Sequence, residues 1–217
     1  MTVKEETKEL TEIVFILDRS GSMEDLTEDT IGGFNSMIQK QKDKDVNALV
    51  TTVLFDHKAT VLHDRVNISD VTEMTERDYW ARGMTALYDA IGTTIKHIRT
   101  IHKYARKEDV PTKTLFVITT DGMENASKIY TRNKVKKMIE EQKEKHDWEF
   151  LFLGAEIDAI SAAREIGINE DRAVRYKKDS QGTKILYQTV SDCCCLNELP
   201  ADWKQSLEED LRKRSNK

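Results

Sequence analysis

The chain has 217 residues, enough for one compact domain with a substantial core. Its 34 basic residues against 39 acidic ones leave a net charge of −5, which disfavours nucleic acid and anionic lipid as partners. No apolar stretch approaches the roughly eighteen residues of a membrane span, and the N-terminus through Glu12 is charged, so the sequence reads as a soluble, unexported, cytoplasmic protein.

The first apolar run predicts a strand at about 13–18, and Ile31, Phe34 and Ile38 mark a helix after it despite Gly32 and Gly33. Strands follow at about 48–55 and 59–66. The Asp56-His57-Lys58 link between them is too short for a helical crossover, so these two form a hairpin. Leu87, Ile91, Ile95, Ile98 and Ile101 then draw a well-defined apolar stripe on a second helix. A strand at 114–120, a helix marked by Val135, Met138 and Ile139, and a strand at 149–154 come next. The helix carries Lys134, Lys136, Lys137, Glu140, Glu141, Lys143, Glu144 and Lys145, a solvated face with compensating charges. A short helix around Ile160 to Ile166 leads to a strand at 173–177. A fifth helix starts near Ser180, read as its N-cap, with Ile185, Leu186 and Val190 on one face.

Beyond Pro200, Trp203, Leu207 and Leu211 at helical spacing predict a terminal helix. The boundaries are a 1–11 extension, a 12–199 domain and a 200–217 helical tail. Strands that alternate with helices and are apolar on both sides imply an α/β fold. It is a doubly wound, mainly parallel sheet with one antiparallel edge strand and helices on both faces. Cys193, Cys194 and Cys195 are the only cysteines; they suit neither a disulfide framework nor a zinc site. Core packing accounts for the first two, with a redox or metal role as the alternative, while Cys195 points more outward.

The first strand ends in Asp18-Arg19-Ser20-Gly21-Ser22, one carboxylate and two hydroxyls at alternating positions. A hard cation such as magnesium is held by one or two carboxylates with neutral oxygens and retained waters, and this triplet could supply part of that set. Two later segments each add an oxygen at an element boundary: Thr85, opening the second helix, and Asp121, ending the 114–120 strand in Asp-Gly. Each alone also has a plain reading as a helix cap or a tight turn.

Together these residues make the chain resemble a von Willebrand factor A domain, most closely the single-domain intracellular bacterial and phage members. The likeness runs from about Glu12 to about Leu196. That family carries a metal-ion-dependent adhesion site built from Asp-x-Ser-x-Ser, a Thr from a separate loop and an Asp at another strand's end. The resemblance implies Asp18, Ser20, Ser22, Thr85 and Asp121 as ligands of magnesium, with manganese or calcium also compatible. It further implies a non-catalytic protein-interaction module, whose ion accepts an acidic side chain of a partner.

Two other functions compete. A metal-assisted phosphoryl-transfer enzyme of the aspartyl-phosphate type also begins with an Asp at the first strand's end, but Ser20 stands where its second acid is required. An RNA-handling role is opposed by the net acidity. Phosphate-loop, dinucleotide and Ser-hydrolase motifs do not occur. The histidines show no ligand spacing, with His57 in the hairpin loop and His97 and His102 on a helix, and most of the five are expected at the surface or at element boundaries.

Met23, Met84 and Met123 adjoin the three loops, either as a soft apolar rim or as plugs beneath them. Tyr79 and Trp80 are open to rim contact or core, and Glu24 and Glu124 are expected to face solvent, with electrostatic tuning of the ion as the alternative.

Overall fold

Eight residues from Thr11 to Asp18 form β1, and their alternation serves two cores at once. Ile13, Phe15 and Leu17 pack on one side of the sheet while Val14 and Ile16 pack on the other. A strand used in this way must lie centrally in a sheet covered on both faces. The computed structural model describes residues 9–155, 158–194 and 199–215.

In chain order the remaining elements are α1 (Thr27–Asp43), β2 (Ala48–Phe55), β3 (Ala59–Asn67), α2 (Leu87–Tyr104) and β4 (Lys113–Thr120). They continue with α3 (Arg132–His146), β5 (Glu149–Gly154), α4 (Ala159–Glu165), β6 (Ala173–Arg175), α5 (Ser180–Cys194) and α6 (Gln205–Ser215). The sheet order is β3-β2-β1-β4-β5-β6. All pairs are parallel except β2 with β3, the expected hairpin.

One face of the sheet is covered by α1, α5 and α6, through Phe34, Met37, Leu186, Val190 and Leu207. The opposite face is covered by α2, α3 and α4, through Ile91, Ile95, Ile98, Val135, Ile139 and Ala163. Gly33, inside α1, packs against α5: a Cβ there would run into the Tyr187 ring. The glycine that weakens the local helical pattern is what lets these two helices meet.

Three details differ from the sequence reading. First, β6 ends at Arg175, although Tyr176 still donates its N–H to the Gly154 carbonyl. Second, α5 starts at Ser180, but its cap is Asp179, whose Oδ1 accepts the Gly182 N–H at 2.8 Å, while Ser180 Oγ turns to Asp29. An aspartate one residue earlier reaches the third amide of the helix, the usual capping contact. Third, His63 is buried on β3 between the hydroxyls of Thr52 and Thr72 and stacked on Phe34.

Cys193 and Cys194 are buried in the α5 side of the core, and burial pushes the Cys193 thiol up to about 12. Cys195 lies outside the described residues. Trp203 and Leu207 join the same core, so α6 packs against the sheet domain. No helix among the described residues is long and apolar enough to cross a membrane.

Candidate metal centre

β1 and β4 lie side by side although α1, β2, β3 and α2 separate them in the chain, so the winding direction reverses between them. In open α/β sheets such a reversal leaves a crevice beyond the carboxyl ends of the strands. Asp18, the last residue of β1, and Asp121, the first after β4, both open into it.

Asp18 is buried and fully engaged. Its Oδ1 accepts the Ser20 N–H at 2.7 Å and its Oδ2 accepts the Thr120 hydroxyl at 2.6 Å. The Tyr79 hydroxyl holds its backbone carbonyl at 2.5 Å. Burial raises the Asp18 carboxyl to about 6; hydrogen bonds from Thr120 and Ser20 oppose the rise, and the charge of Asp121 adds to it. From there a chain of hydroxyls runs across the crevice. Ser20 Oγ lies 3.1 Å from Ser22 Oγ, which donates to Asp121 Oδ1 at 2.7 Å.

Thr85 arrives on a separate loop that is fastened at several points. The Gly21 N–H donates to the Gly83 carbonyl, Arg82 N–H to Arg19 O, and Ala86 N–H to Asp56 O. Gly83 has φ +67, a left-handed conformation that costs a residue with a Cβ, and a Cβ there would meet His57 Nδ1 at 2.8 Å. Thr85 also exchanges two hydrogen bonds with Asn125, its N–H to the Asn125 side chain and its carbonyl from the Asn125 N–H. A Cβ on Gly122 would lie 3.4 Å from Thr85 Oγ1 and 3.7 Å from Ser22 Oγ, so both hydroxyls flank the Asp121-Gly122 turn. All five residues singled out in the sequence are thus brought to one crevice.

Residues that the motif did not reveal hold these loops. Asp56, fully buried just after β2, accepts hydrogen bonds from Arg82 Nε at 2.8 Å and the Lys58 N–H at 3.0 Å, and forms an ion pair with Arg19 Nε at 3.2 Å. Burial alone would raise its carboxyl, but Arg82, Lys58 and Arg19 together hold it below the ordinary value. Asp89 accepts the N–H groups of Lys128, Ile129 and Tyr130.

Glu124, expected in solvent, instead accepts the N–H groups of Tyr88, Ala126 and Ser127 and the Ser127 hydroxyl. Amides at the start of α2 and in the following loop need acceptors, and this carboxylate supplies them. Glu24 is exposed as expected.

The rim residues divide. Met23 and Tyr79 are core, whereas Met84, Met123 and Trp80 are exposed, Trp80 with the Arg19 and Arg82 guanidinium groups over its ring.

The donor set is two carboxylates and three hydroxyls; no cluster of three His, Cys, Asp or Glu side chains occurs among the described residues. Asp121 Oδ2 is buried and accepts no hydrogen bond among these residues. A buried carboxylate oxygen is costly without a cation or donor, so the crevice fits a divalent ion. The ammonium of Lys178 lies 2.7 Å from that oxygen but outside hydrogen-bond geometry.

The fold is similar to that of a von Willebrand factor A domain. Among similar solved structures is the von Willebrand factor domain of the type V pili tip protein Mfa5 from Porphyromonas gingivalis. It superposes with a TM-score of 0.63 at 10% identity, over 89% of this chain and 99% of that one. The PilB minor pilin from Streptococcus sanguinis matches with a TM-score of 0.65 at 12% identity, over 87% of this chain. The chain spans 62% of the length of that pilin. Proximal thread matrix protein 1 from the mussel byssus, solved with a zinc-occupied MIDAS motif, matches with a TM-score of 0.60 at 13% identity, over 87% of this chain and 48% of that one. No protein-family model and no curated protein matches the sequence.

Proposed function

We propose that this chain is a divalent-metal-dependent protein-interaction module. Asp18, Ser20, Ser22, Thr85 and Asp121 hold magnesium, and the ion accepts an acidic side chain from a partner protein. The observation that carries this reading is the convergence of five oxygen-bearing side chains, only two of them charged, on the reversal point of the sheet.

When bound, the ion supplies a charge that two carboxylates at most neutralise, and so keeps an affinity for a further anionic oxygen. Asp18, with both oxygens engaged by Ser20 and Thr120, acts through a water or through the lone pairs left on those oxygens. Ser20 and Ser22 present neutral oxygens, and Thr85 adds a third from the facing loop. Exposed Met84, Met123 and Trp80 give the crevice an adaptable apolar border, suited to a protein surface. The run Cys193-Cys194-Cys195 gives no disulfide framework, which supports a reducing cytoplasm as the compartment.

The test is affinity capture with wild type and Thr85→Ala, each in magnesium and in chelator. Partners retained by wild type in magnesium alone support the reading, and identical retention under all four conditions removes the metal from the interface.

A further inference from the structure

Among the described residues, Lys178 directs a cation at the candidate centre. Its ammonium stands 2.7 Å from Asp121 Oδ2, the carboxylate oxygen that accepts no hydrogen bond among the described residues. The Asp121 side chain is fully buried, whereas that of Lys178 is 38% exposed. One end of this contact is therefore fixed and the other can leave.

We propose that Lys178 is a tethered counter-cation, which holds Asp121 when no divalent ion is present and must be displaced when one binds. The inference rests on the metal reading of the site and adds a competitor to it.

The backbone around Lys178 is anchored on both sides. Tyr176 N–H binds the Gly154 carbonyl, Asp179 caps α5 through Gly182 N–H, and Arg214 of α6 pairs with the Asp179 carboxylate. Displacement is then a rotation of the lysine stem and leaves the fold in place. The stem has four rotatable carbons and ends in a compact, strongly hydrated charge, which suits such a motion.

Electrostatics makes the two occupancies exclusive. An ammonium and a dication on one carboxylate oxygen repel across a few ångströms in a partly desolvated crevice, where screening by water is weak. Lysine also differs from the other cations of this end of the sheet. Arg19 and Arg82 are committed to Asp56, while Lys178 faces a metal ligand. An apo site with a buried, uncompensated Asp121 would be strained, and the ammonium relieves that strain at the expense of metal affinity.

The contact predicts that Lys178→Met binds magnesium about tenfold more tightly than wild type in calorimetric titration, the size expected when a charge-assisted contact of ordinary strength is no longer broken on binding. A second measurement uses the wild-type chain. Acylation of the Lys178 amine by an N-hydroxysuccinimide ester, followed by mass spectrometry, should be faster in saturating magnesium than in chelator.

Affinity in Lys178→Met equal to or weaker than wild type, or acylation unchanged or slowed by magnesium, overturns the assignment while leaving the metal reading intact. Absence of magnesium binding in both proteins overturns the two together.

Discussion

Asp18 combines deep burial with its proposed duty as a metal ligand, and its protonation couples the two. Its carboxyl is raised to about 6 in the folded chain against an ordinary 3.8. Between those values the folded state binds more protons than the unfolded one. Stability of the metal-free protein therefore falls as pH rises through this window, by about 3 kcal/mol in total, and is greatest below it. The difference between wild-type and Asp18→Asn unfolding curves isolates that slope; parallel curves from pH 4 to about 7 would count against it.

Magnesium at the proposed site would reverse the sign, because it requires the carboxylate. Its affinity should drop about tenfold per pH unit below about 6, read by titrations at pH 5 and about 7.5.

Glu124 makes a separate prediction: Glu124→Ala leaves three amides and a hydroxyl without their acceptor and should destabilise the fold by about 2–3 kcal/mol in chemical denaturation. An effect below about 0.5 kcal/mol, the size of an ordinary surface change, would show that water replaces the carboxylate.

The five ligand candidates were legible because each stands at an element boundary within a short pattern. Asp89 and Lys178 were not, since each acts on groups distant in the chain; Asp56 and Glu124 also bind amides two or three residues on, but their long-range partners, Arg19 and Arg82 for Asp56 and Tyr88 for Glu124, leave no local spacing.

At the scale of elements, the loop carrying Thr85 depends on Gly83. Gly83→Ala would force a Cβ into a left-handed backbone and against His57 Nδ1, with strain of about 1–2 kcal/mol. We expect lower thermal stability and weaker magnesium binding together, because the Gly21 to Gly83 hydrogen bond joins this loop to the Asp18-to-Ser22 segment. Loss of stability with unchanged magnesium affinity would mean that Thr85 is positioned independently of this turn. Asp179→Ala should cost about 1 kcal/mol through the lost cap of α5, whereas Ser180→Ala, which removes only the contact to Asp29, should cost less.

The element order was readable from alternation and helical spacing, down to the antiparallel hairpin at Asp56-His57-Lys58. Finer points escaped for physical reasons. β6 shortens where its neighbour β5 ends at Gly154, and the choice between adjacent capping residues depends on the loop's approach. Gly33 lowered the helical signal of α1 for a reason that only the packing of Tyr187 explains.

For the whole molecule, sheet order does the assembling. Placing β1 beside β4 brings loops from three distant parts of the chain to one crevice, and the supports at Asp56, Asp89 and Glu124 hold those loops without the ion. A preformed site of this kind binds the folded state alone, so a ligand at a hundredfold excess over its dissociation constant stabilises by about 2.7 kcal/mol. For a chain of this size that corresponds to a rise in Tm of about 5–10 °C. Thermal unfolding of wild type and Asp18→Ala, each titrated with magnesium, is the direct measurement. The wild-type Tm should climb with magnesium and saturate while that of Asp18→Ala stays level. A wild-type Tm indifferent to magnesium, or an equal rise in both proteins, would contradict a metal centre at these five residues.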